Sequence, residues 1–499
     1  MSRRSHGATL AFWVGVAWLS CPWTASANGR FPRAQRLVED PRDPNHLVLA
    51  ATYGLLTTRD RGRSWYHICE ASFSRLEMYT GDPLFEFASD FAMLVDVQAG
   101  LNRSTDDGCS WAAAIAQNGN EEVVDFTVSG REPGRILALR SGPEEGSIVV
   151  RVLESTDNGR TFLAMGAPLP VVTAFTLDLA PGDPARIYAT GLSRSNEGYL
   201  LVSSDRGATW ESKSIPHTSF DDIPYIAAVD AHDARKIFVR IDGRIFSDAD
   251  GRYHAHDAVL YTDDGGDTWT EIHRVEGKAF GFALSPDGSE VLLGYGRDSG
   301  DGALDVDEAA LGIYASSTDR FAFARLLEGS ITCLSWTARG IYVCTPQFKA
   351  GRELAFGPRS SFGSTGADLE TLLRLPDVKG PLTCCAEKLS SVCKTAWPSA
   401  CLVLGACSDA SPTDDCIDGG GDGHSIDAAT DSRPATDSGT ATAAAGACNC
   451  RTGPASKNGD APAWLLSAMG TLAVARARSK RARDIERAIR ASRDALRLQ

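Results

Sequence analysis

The sequence of 499 residues predicts an all-β protein in which repeated four-stranded sheets form a ring, and three observations support this prediction. An eight-residue phrase, Ser/Thr-x-Asp-x-Gly-x-Ser/Thr-aromatic, occurs five times. The steps between its aspartates are 46, 51, 48 and 59 residues. Runs rich in β-branched and aromatic residues lie upstream of these phrases, and Asp-Pro breakers precede some of them. A repeat period near 50 residues indicates a repeat architecture in which each unit is one small sheet.

The five phrases share an aspartate, a glycine and an aromatic residue at fixed positions. These are Asp60, Gly62 and Trp65; Asp106, Gly108 and Trp111; Asp157, Gly159 and Phe162; Asp205, Gly207 and Trp210; and Asp264, Gly266 and Trp269. A sixth, degenerate copy runs from Ser317 through Asp319 to Phe323 and lacks the glycine. Aspartate accepts hydrogen bonds from the amides that follow it, and glycine supplies a positive φ. We therefore assign these residues a structural role in hairpin turns and predict no catalytic role for them.

The β-rich runs and the turns together predict one four-stranded sheet per repeat. A lone sheet of this size cannot bury both faces, so the copies must stack, and radial stacking gives a β-propeller. Segments Cys333–Trp336, Ile341–Cys344 and Leu372–Leu375 predict a further blade whose phrase has decayed. The sequence thus predicts seven blades, with six as the alternative; a linear array is disfavoured because no polar capping repeat is visible.

The repeated phrase resembles the Asp-box, or BNR repeat, of sialidase-like propellers, over roughly residues 40–325. This resemblance implies a propeller with the phrases at the outer rim of the blades. The sialidase-like enzymes bind a substrate carboxylate with three arginines, the first in an Arg-Ile-Pro motif, and use a tyrosine paired with a glutamate. Arg30-Phe-Pro32 is the nearest match here, and no second or third arginine can be assigned. The repeats are also similar to those of two-propeller xyloglucan hydrolases, whose cleft needs a second propeller.

Both ends of the chain predict export. Arg3 and Arg4, an apolar run and Ala25-Ser-Ala27 indicate a secretory signal. A segment rich in Asp, Ser, Thr, Ala and Gly near the other end indicates a disordered tether. The predicted organisation is a signal peptide at 1–27, the propeller at 28–376, a Cys-rich cap at 377–416, a linker at 417–447, a sorting or membrane signal at 448–483 and a tail at 484–499.

The segment 448–483 resembles the MYXO-CTERM sorting signal of myxobacterial surface proteins. It joins Cys448-Asn-Cys450, a polar spacer, an apolar stretch over 461–475 and a basic run. The resemblance implies cleavage and lipid attachment at Cys448, and hence a cell-surface or outer-membrane location. The alternatives are a plain C-terminal membrane anchor and release outside the cell.

Outside the signal and the sorting segment the chain has ten cysteines, an even number that predicts disulfides in an exported protein. Cys69 and Cys109 are candidates for a bond between the first two blades, and Cys333 and Cys344 for a bond across a hairpin. The cluster from Cys384 to Cys416 predicts a cap cross-linked within itself. Zinc binding by this cluster is the rival interpretation, which the spacing disfavours.

Two other motifs have the composition of metal sites. His254-x-His256 and the carboxylate-rich run 298–308 suit a transition metal and Ca²⁺, respectively. A polar insertion and a solvated acidic loop are the preferred interpretations of these two motifs, and we predict no metal and no cofactor.

The charge of the chain limits the possible partners. The full sequence carries −14, and removal of the predicted signal and of residues 449–499 leaves −23. This acidity argues against nucleic acid and against direct docking on anionic lipid, so contact with the membrane is expected only through the C-terminal anchor. We therefore predict a monomeric binding module for an extracellular protein or glycan. The alternative is an extracellular, sialidase-like glycoside hydrolase, and a membrane-complex assembly factor is a third possibility.

Overall fold

A computed structural model describes residues 33–74, 83–97, 100–116, 121–244, 246–247, 250, 253–297, 307–363, 368–384 and 390–407. These residues form seven antiparallel four-stranded sheets, and within each sheet the strands lie side by side in chain order. The predicted seven-bladed propeller is confirmed, and six blades are excluded. The predicted signal, Arg30, Cys385, Cys416, the linker, Cys448 and the tail lie outside the described residues.

The strands of each blade are numbered from innermost to outermost. Blade 1 contains Ala34–Glu39, Leu47–Ala51, Gly54–Thr58 and Tyr66–Ile68; blade 2 contains Leu84–Phe87, Met93–Asp96, Leu101–Ser104 and Ala112–Ile115; blade 3 contains Glu122–Val128, Ile136–Glu144, Ser147–Ser155 and Leu163–Met165; blade 4 contains Thr173–Ala180, Asp183–Leu192, Gly198–Ser203 and Glu211–Ser214. Blade 5 contains Ile223–Val229, Ile237–Asp242, His256–Thr262 and Thr270–Glu276; blade 6 contains Lys278–Leu284, Glu290–Gly296, Gly312–Ser317 and Ala324–Glu328; blade 7 contains Cys333–Thr337, Gly340–Cys344, Leu354–Gly357 and Glu370–Leu373.

Short elements decorate the blades. A hairpin of Phe246–Ser247 and Tyr253–His254 extends blade 5. The α-helices are Glu70–Phe73, Gln347–Ala350 and Ser390–Leu404, and the 3₁₀ helices are Glu308–Ala310, Arg359–Ser361 and Leu375–Asp377. Within the described part of the chain, no helix combines the length and the apolar character that a membrane crossing needs.

The hydrophobic core lies between the blades and shows that the ring is closed. Seven buried apolar clusters occur, and each joins side chains from two neighbouring blades. Seven blades in an open row would have six interfaces, whereas a ring has seven. The seventh cluster packs Leu49 and Trp65 of blade 1 against Tyr342 and Leu372 of blade 7. The innermost strands contact one another in the same cyclic order and therefore line the central channel.

The repeated phrases form the turns between the third and the outermost strands. In blade 1, Asp60 Oδ1 accepts hydrogen bonds from the amide of Ser64 at 2.8 Å and from the hydroxyl of Thr58, and Thr58 Oγ1 accepts the amide of Gly62 at 3.0 Å. The same pattern holds the turns of blades 2 to 5. Arg61 and Gly62 both have positive φ, at 59° and 89°, so glycine suits the second position. Each of these aspartates is engaged within its own turn.

The ring is closed without strand exchange, because every blade is built from one contiguous stretch of chain. Contacts between blades 7 and 1 take the place of strand exchange. The indole of Trp65 donates to the carbonyl of Leu372 at 2.8 Å, and Arg339 pairs with Glu39 at 2.7 Å. The buried carboxyl of Glu353 accepts the amide of Ala34 at 2.6 Å.

A segment that follows blade 7 fastens this junction. Residues 379–382, which we call the strap strand, run parallel to the outermost strand of blade 1. The amide of Lys379 donates to the carbonyl of Trp65 at 2.9 Å, and that of Leu382 donates to His67 at 2.8 Å. The strap strand thus lies along the outer edge of the first blade and is joined to it by one parallel β-bridge, between His67 and Pro381.

Disulfides complete the fastening and correct the predicted pairing. Cys69 bonds to Cys393 and Cys109 bonds to Cys384, so the predicted Cys69–Cys109 bond is wrong. The cluster is also not a cap cross-linked within itself, since two of its cysteines bond to blades 1 and 2 and only Cys401–Cys407 is internal. The strap strand brings Cys384 and Cys393 to these blades, a non-local arrangement that cysteine spacing does not specify. Cys333 and Cys344 bond across the first hairpin of blade 7.

Candidate functional site at the channel mouth

The two faces of the ring differ in the connections that they carry. Antiparallel order places the turns after the first and third strands on one face, which we call the turn face. The connections after the second and fourth strands lie on the other face, which we call the mouth face. Turns on the turn face are mostly short and alike, whereas the mouth face carries the long connections 243–255, 297–311 and 345–353. Variable loops on a rigid scaffold are where binding residues concentrate, so the mouth face is the candidate site.

Bulges at the start of the innermost strands shape this mouth. In blades 1, 3, 4 and 6 the pairing with the second strand skips Gln35, Val124, Phe175 and Phe280, respectively. A bulge redirects side chains and interrupts pairing, and bulges are common beside functional sites. Two of these four skipped residues are phenylalanines, and their rings are only partly buried.

Aromatic and cationic side chains from four blades meet at the mouth. The guanidinium of Arg33, directly before blade 1, lies 4.4 Å from the ring centre of Phe280 in blade 6. Blade 7 separates these two blades in the ring, so this contact spans the channel opening. In blade 5 the guanidinium of Arg240 lies 5.0 Å from the ring of Tyr225, which contacts Phe175 of blade 4 with ring centres 5.7 Å apart.

A network of four charges holds the long blade-5 connection against blade 6. Lys278 pairs with Asp242 and, at 3.3 Å, with Asp257, and it donates to the carbonyl of Gly243 at 2.7 Å. Arg240 lies 3.5 Å from Asp242 and 3.9 Å from Asp257. Asp257 is fully buried, and burial raises its pKa although both cations oppose the shift. This network fixes the part of blade 5 that carries Tyr225 and Arg240.

Within the channel, one cation faces three carboxyls. Arg36 pairs with Glu86 and faces Asp125 and Asp178 across the channel. Asp125 accepts the amides of Leu177 at 2.8 Å and Phe126 at 2.9 Å. Burial raises the pKa of Asp125 to about 7. Burial, and then the charge of Asp125, raise the pKa of Asp178 to about 8.

We expect these two carboxyls to make folding stability fall as the pH rises. Both bind a proton more tightly in the folded chain than in the unfolded chain, where the pKa is near 4. Their contribution therefore becomes less favourable from about pH 4 through about pH 8. Because Arg36 is 46% exposed to channel water, we expect a loss of only about 1–2 kcal/mol.

Thermal unfolding at pH 5.5 and pH 8.5 measures this effect. Asp178→Asn should reduce the difference in melting temperature between the two conditions. Asp205→Asn is the control, because the hydrogen bonds from Thr209 lower the pKa of Asp205 to about 2 and it does not titrate in this range. An unchanged difference in Asp178→Asn would contradict the prediction.

The structure describes the two motifs to different extents, because residues 298–306 of the acidic run lie outside the described residues. His254 Nδ1 lies 2.5 Å from Glu276, and the ring of Phe246 contacts both His254 and His256, with centres 5.6 and 5.5 Å away. In the acidic run, Glu308 pairs with Lys349 at 2.6 Å. Across the described ranges, no three His, Cys, Asp or Glu side chains lie close enough together to hold a metal ion.

Sequence reasoning missed the mouth residues. Arg33, Phe175, Tyr225, Arg240 and Phe280 belong to no motif, and they meet only because separate blades bring them together. A usable signal was present, because Arg36, Glu86, Phe175, Tyr225 and Phe280 are each the third residue of an innermost strand. Aligning the repeats on their first strands would have placed these side chains at one level of the channel.

Several solved structures are similar to this chain, all at low sequence identity and low TM-score. An ancestral GH74 enzyme is 16% identical with a TM-score of 0.33, and the match covers 66% of this chain and 37% of that one. The GH74 xyloglucanase from Xanthomonas campestris is 15% identical with a TM-score of 0.32, and the match covers 72% and 66% of the two chains. An oligogalacturonate lyase from Vibrio parahaemolyticus is 9% identical with a TM-score of 0.42, and covers 64% and 87%. The chain thus spans only part of the length of the two GH74 enzymes. No protein-family model matches the sequence, and no curated protein matches it either.

Proposed function

We propose that this protein is an exported binding module that holds an extracellular protein or glycan on its mouth face. The observation that carries the proposal is the convergence of Arg33, Phe175, Tyr225, Arg240 and Phe280 from four blades. Aromatic residues and arginine supply much of the energy of binding sites, because they bury large areas at a low cost in conformational entropy.

Exposed apolar residues on the same face support this proposal. Phe220 is 70% exposed in the connection from blade 4 to blade 5, and Ile148 is 54% exposed beside the hairpin turn of blade 3. Phe246 lies in the long blade-5 connection and is also exposed. These side chains surround the mouth, and a partner resting on the mouth would cover them.

Substitution at the mouth tests the proposal. The assay uses the exported full chain to capture surface proteins and glycans. The affinity of each captured partner is then measured. The double variant Arg33→Ala/Phe280→Ala should weaken capture about tenfold or more, as expected for a central aromatic–arginine pair. Arg235→Ala on the turn face is the control and should bind like the unmodified protein.

Two results would contradict binding at the mouth. Equal affinities for the double variant and the unmodified protein would place the partner elsewhere. Cleavage of a captured glycan, lost in the same double variant, would instead support the alternative of an extracellular glycoside hydrolase.

We also propose that the chain is attached to the cell surface through Cys448. The four disulfides of the described residues suit an oxidising compartment, and the acidic composition suits a domain held away from anionic lipid. Cys448→Ala should move the protein from the membrane fraction to the medium or to an uncleaved precursor, as shown by fractionation and by labelling with a fatty-acid probe. Cys450→Ala is the matched control, and identical fractionation of both variants would refute attachment at Cys448.

A further inference from the structure

A pocket of about 300 Å³ opens on the outside of the ring where blades 2 and 3 meet. Its walls come from the third strand, the repeated turn and the outermost strand of blade 2, and from the repeated turn of blade 3. They include Arg103, Trp111, Ala112, Ala114, Gly159 and Arg160. This pocket is separate from the mouth face and contains none of the residues that carry the proposed function.

The pocket exists because small residues stand where other junctions have large ones. At four other junctions, the turn glycine packs against a large side chain on the outermost strand of the preceding blade. The two are so close that a methyl group added to the glycine would contact that side chain. These glycine and side-chain pairs are Gly62 with Leu372, Gly108 with Ile68, Gly207 with Met165 and Gly266 with Lys213. The nearest atoms around Gly159 belong to Ile136, Leu94 and Phe162. None of them lies on the outermost strand of blade 2, whose residues 112–114 are alanines.

The aromatic residue of the turn contributes to the same difference. The indoles of Trp65 and Trp269 donate to carbonyls of the preceding outermost strand, at 2.8 Å to Leu372 and 3.1 Å to Ser214. Blade 3 has Phe162 at this position, which has no N–H group and cannot form this bond. The junction of blades 2 and 3 therefore lacks the large side chain, and it also has no indole bridge, a feature that it shares with the junctions at Trp111 and Trp210.

Two arginines give the pocket an excess of positive charge. Arg103 and Arg160 pair with one carboxylate oxygen of Asp90, at 2.5 Å and 2.8 Å. Arg103 is further held by its bond to the carbonyl of Asn158 at 2.9 Å and is largely buried. Arg160 is 54% exposed and can reorient toward a ligand. The pocket wall itself contains these two guanidinium groups and no carboxylate, while Asp90, Asp106 and Asp157 lie next to it. Guanidinium binds carboxylate in a bidentate manner, so the wall favours an anionic ligand.

The remaining walls are apolar or carry a hydroxyl group. Trp111 donates its indole N–H to Gly108 at 3.1 Å, so it offers the pocket apolar ring atoms. The alanines continue this surface, and Thr105 and Ser110 add hydroxyl groups. A volume of about 300 Å³ is at the lower end of small-molecule sites and suits one sugar ring.

We propose that this pocket binds a uronic acid unit, a sugar ring that carries a carboxylate. The ring packs on Trp111 and the alanines, and the carboxylate contacts Arg103 and Arg160. The apolar wall distinguishes such a ligand from a simple inorganic anion, and the arginines distinguish it from a neutral sugar.

Titration of the full chain with D-glucuronate, D-glucose and sodium sulfate, followed by NMR or calorimetry, tests the site. We expect saturable, millimolar binding of D-glucuronate and at least tenfold weaker binding of the other two. Arg160→Ala, which removes the exposed guanidinium, and Ala112→Leu, which fills the pocket, should each weaken glucuronate binding about tenfold or more. Arg63→Ala is the matched control, because Arg63 occupies the same position in the repeated turn of blade 1.

Each other outcome overturns the proposal. Equal binding of sulfate and glucuronate would show a general anion site. No saturation by about 50 mM glucuronate, roughly fifty times a 1 mM dissociation constant, would show no sugar site. Unchanged affinity in both pocket variants would place the ligand elsewhere. Melting temperatures confirm that the variants are folded. Arg33→Ala/Phe280→Ala should bind glucuronate normally, so failure here and failure of the mouth proposal are distinguishable.

Discussion

Replacing Cys69, Cys109, Cys384 and Cys393 by serine should cost this propeller more stability than any other change to its disulfides. These residues form two bonds that join positions 324 and 275 residues apart, and thereby restrict almost the whole unfolded chain. Loop-closure entropy gives about 5–6 kcal/mol for the first bond of this length. The second bond adds less, because the first has already closed much of the same loop.

Denaturant unfolding under oxidising conditions measures this loss. Cys401→Ser/Cys407→Ser is the matched control, since that bond closes a separation of only 6 residues and should contribute about half as much as one long bond. A fourfold variant that unfolds at the same denaturant concentration as the control would show that packing between blades 7 and 1 closes the ring without the disulfides.

Lys278→Met should destabilise the fold by about 3–5 kcal/mol, because it leaves a buried carboxylate with one cation fewer. Asp257 is fully buried and lies 3.3 Å from the Lys278 ammonium group. Its oxygens also accept the amides of Gly243 at 3.0 Å and Ala279 at 2.8 Å, so the carboxylate cannot turn to solvent without breaking both bonds. Methionine keeps much of the side-chain volume, and the expected loss is therefore mainly electrostatic.

Two further variants separate charge from packing. Lys213→Met removes a lysine whose partner, Asp267, is mostly exposed, and should change the free energy of unfolding by less than about 1 kcal/mol. Adding Asp257→Asn to Lys278→Met should recover part of the lost stability. The second substitution removes the buried negative charge of Asp257, which has lost its partner Lys278. If Lys278→Met and Lys213→Met lose equal stability, the network does not act as described.

The repeated architecture was predictable because its signal is local. Asp60, Gly62 and Thr58 interact within one turn, so a short window of sequence contains the whole interaction. Blade 7 has no such turn and was predicted from its remaining strand pattern, which placed the Cys333–Cys344 hairpin correctly.

Interactions between distant parts of the chain were not predictable in the same way. The spacing of Cys69 and Cys109 suited a bond between them, but the strap strand brings a different partner to each. Similarly, Arg33 and Phe280 are far apart in sequence and meet only across the closed ring. The pocket beside Ala112 depends on a comparison between junctions, which requires knowing which strand each turn contacts.

The position of Cys384 and Cys393 after the last blade has a consequence for biogenesis. A chain emerging from its N-terminus can form the sheets of blades 1 to 6 early, but the partners of Cys69 and Cys109 are absent until nearly four hundred residues have been synthesised. Until then these two thiols stay reduced or bond to the wrong sulfur. We therefore expect correct maturation to depend on thiol–disulfide isomerases, with oxidation of these two pairs as a late step in folding.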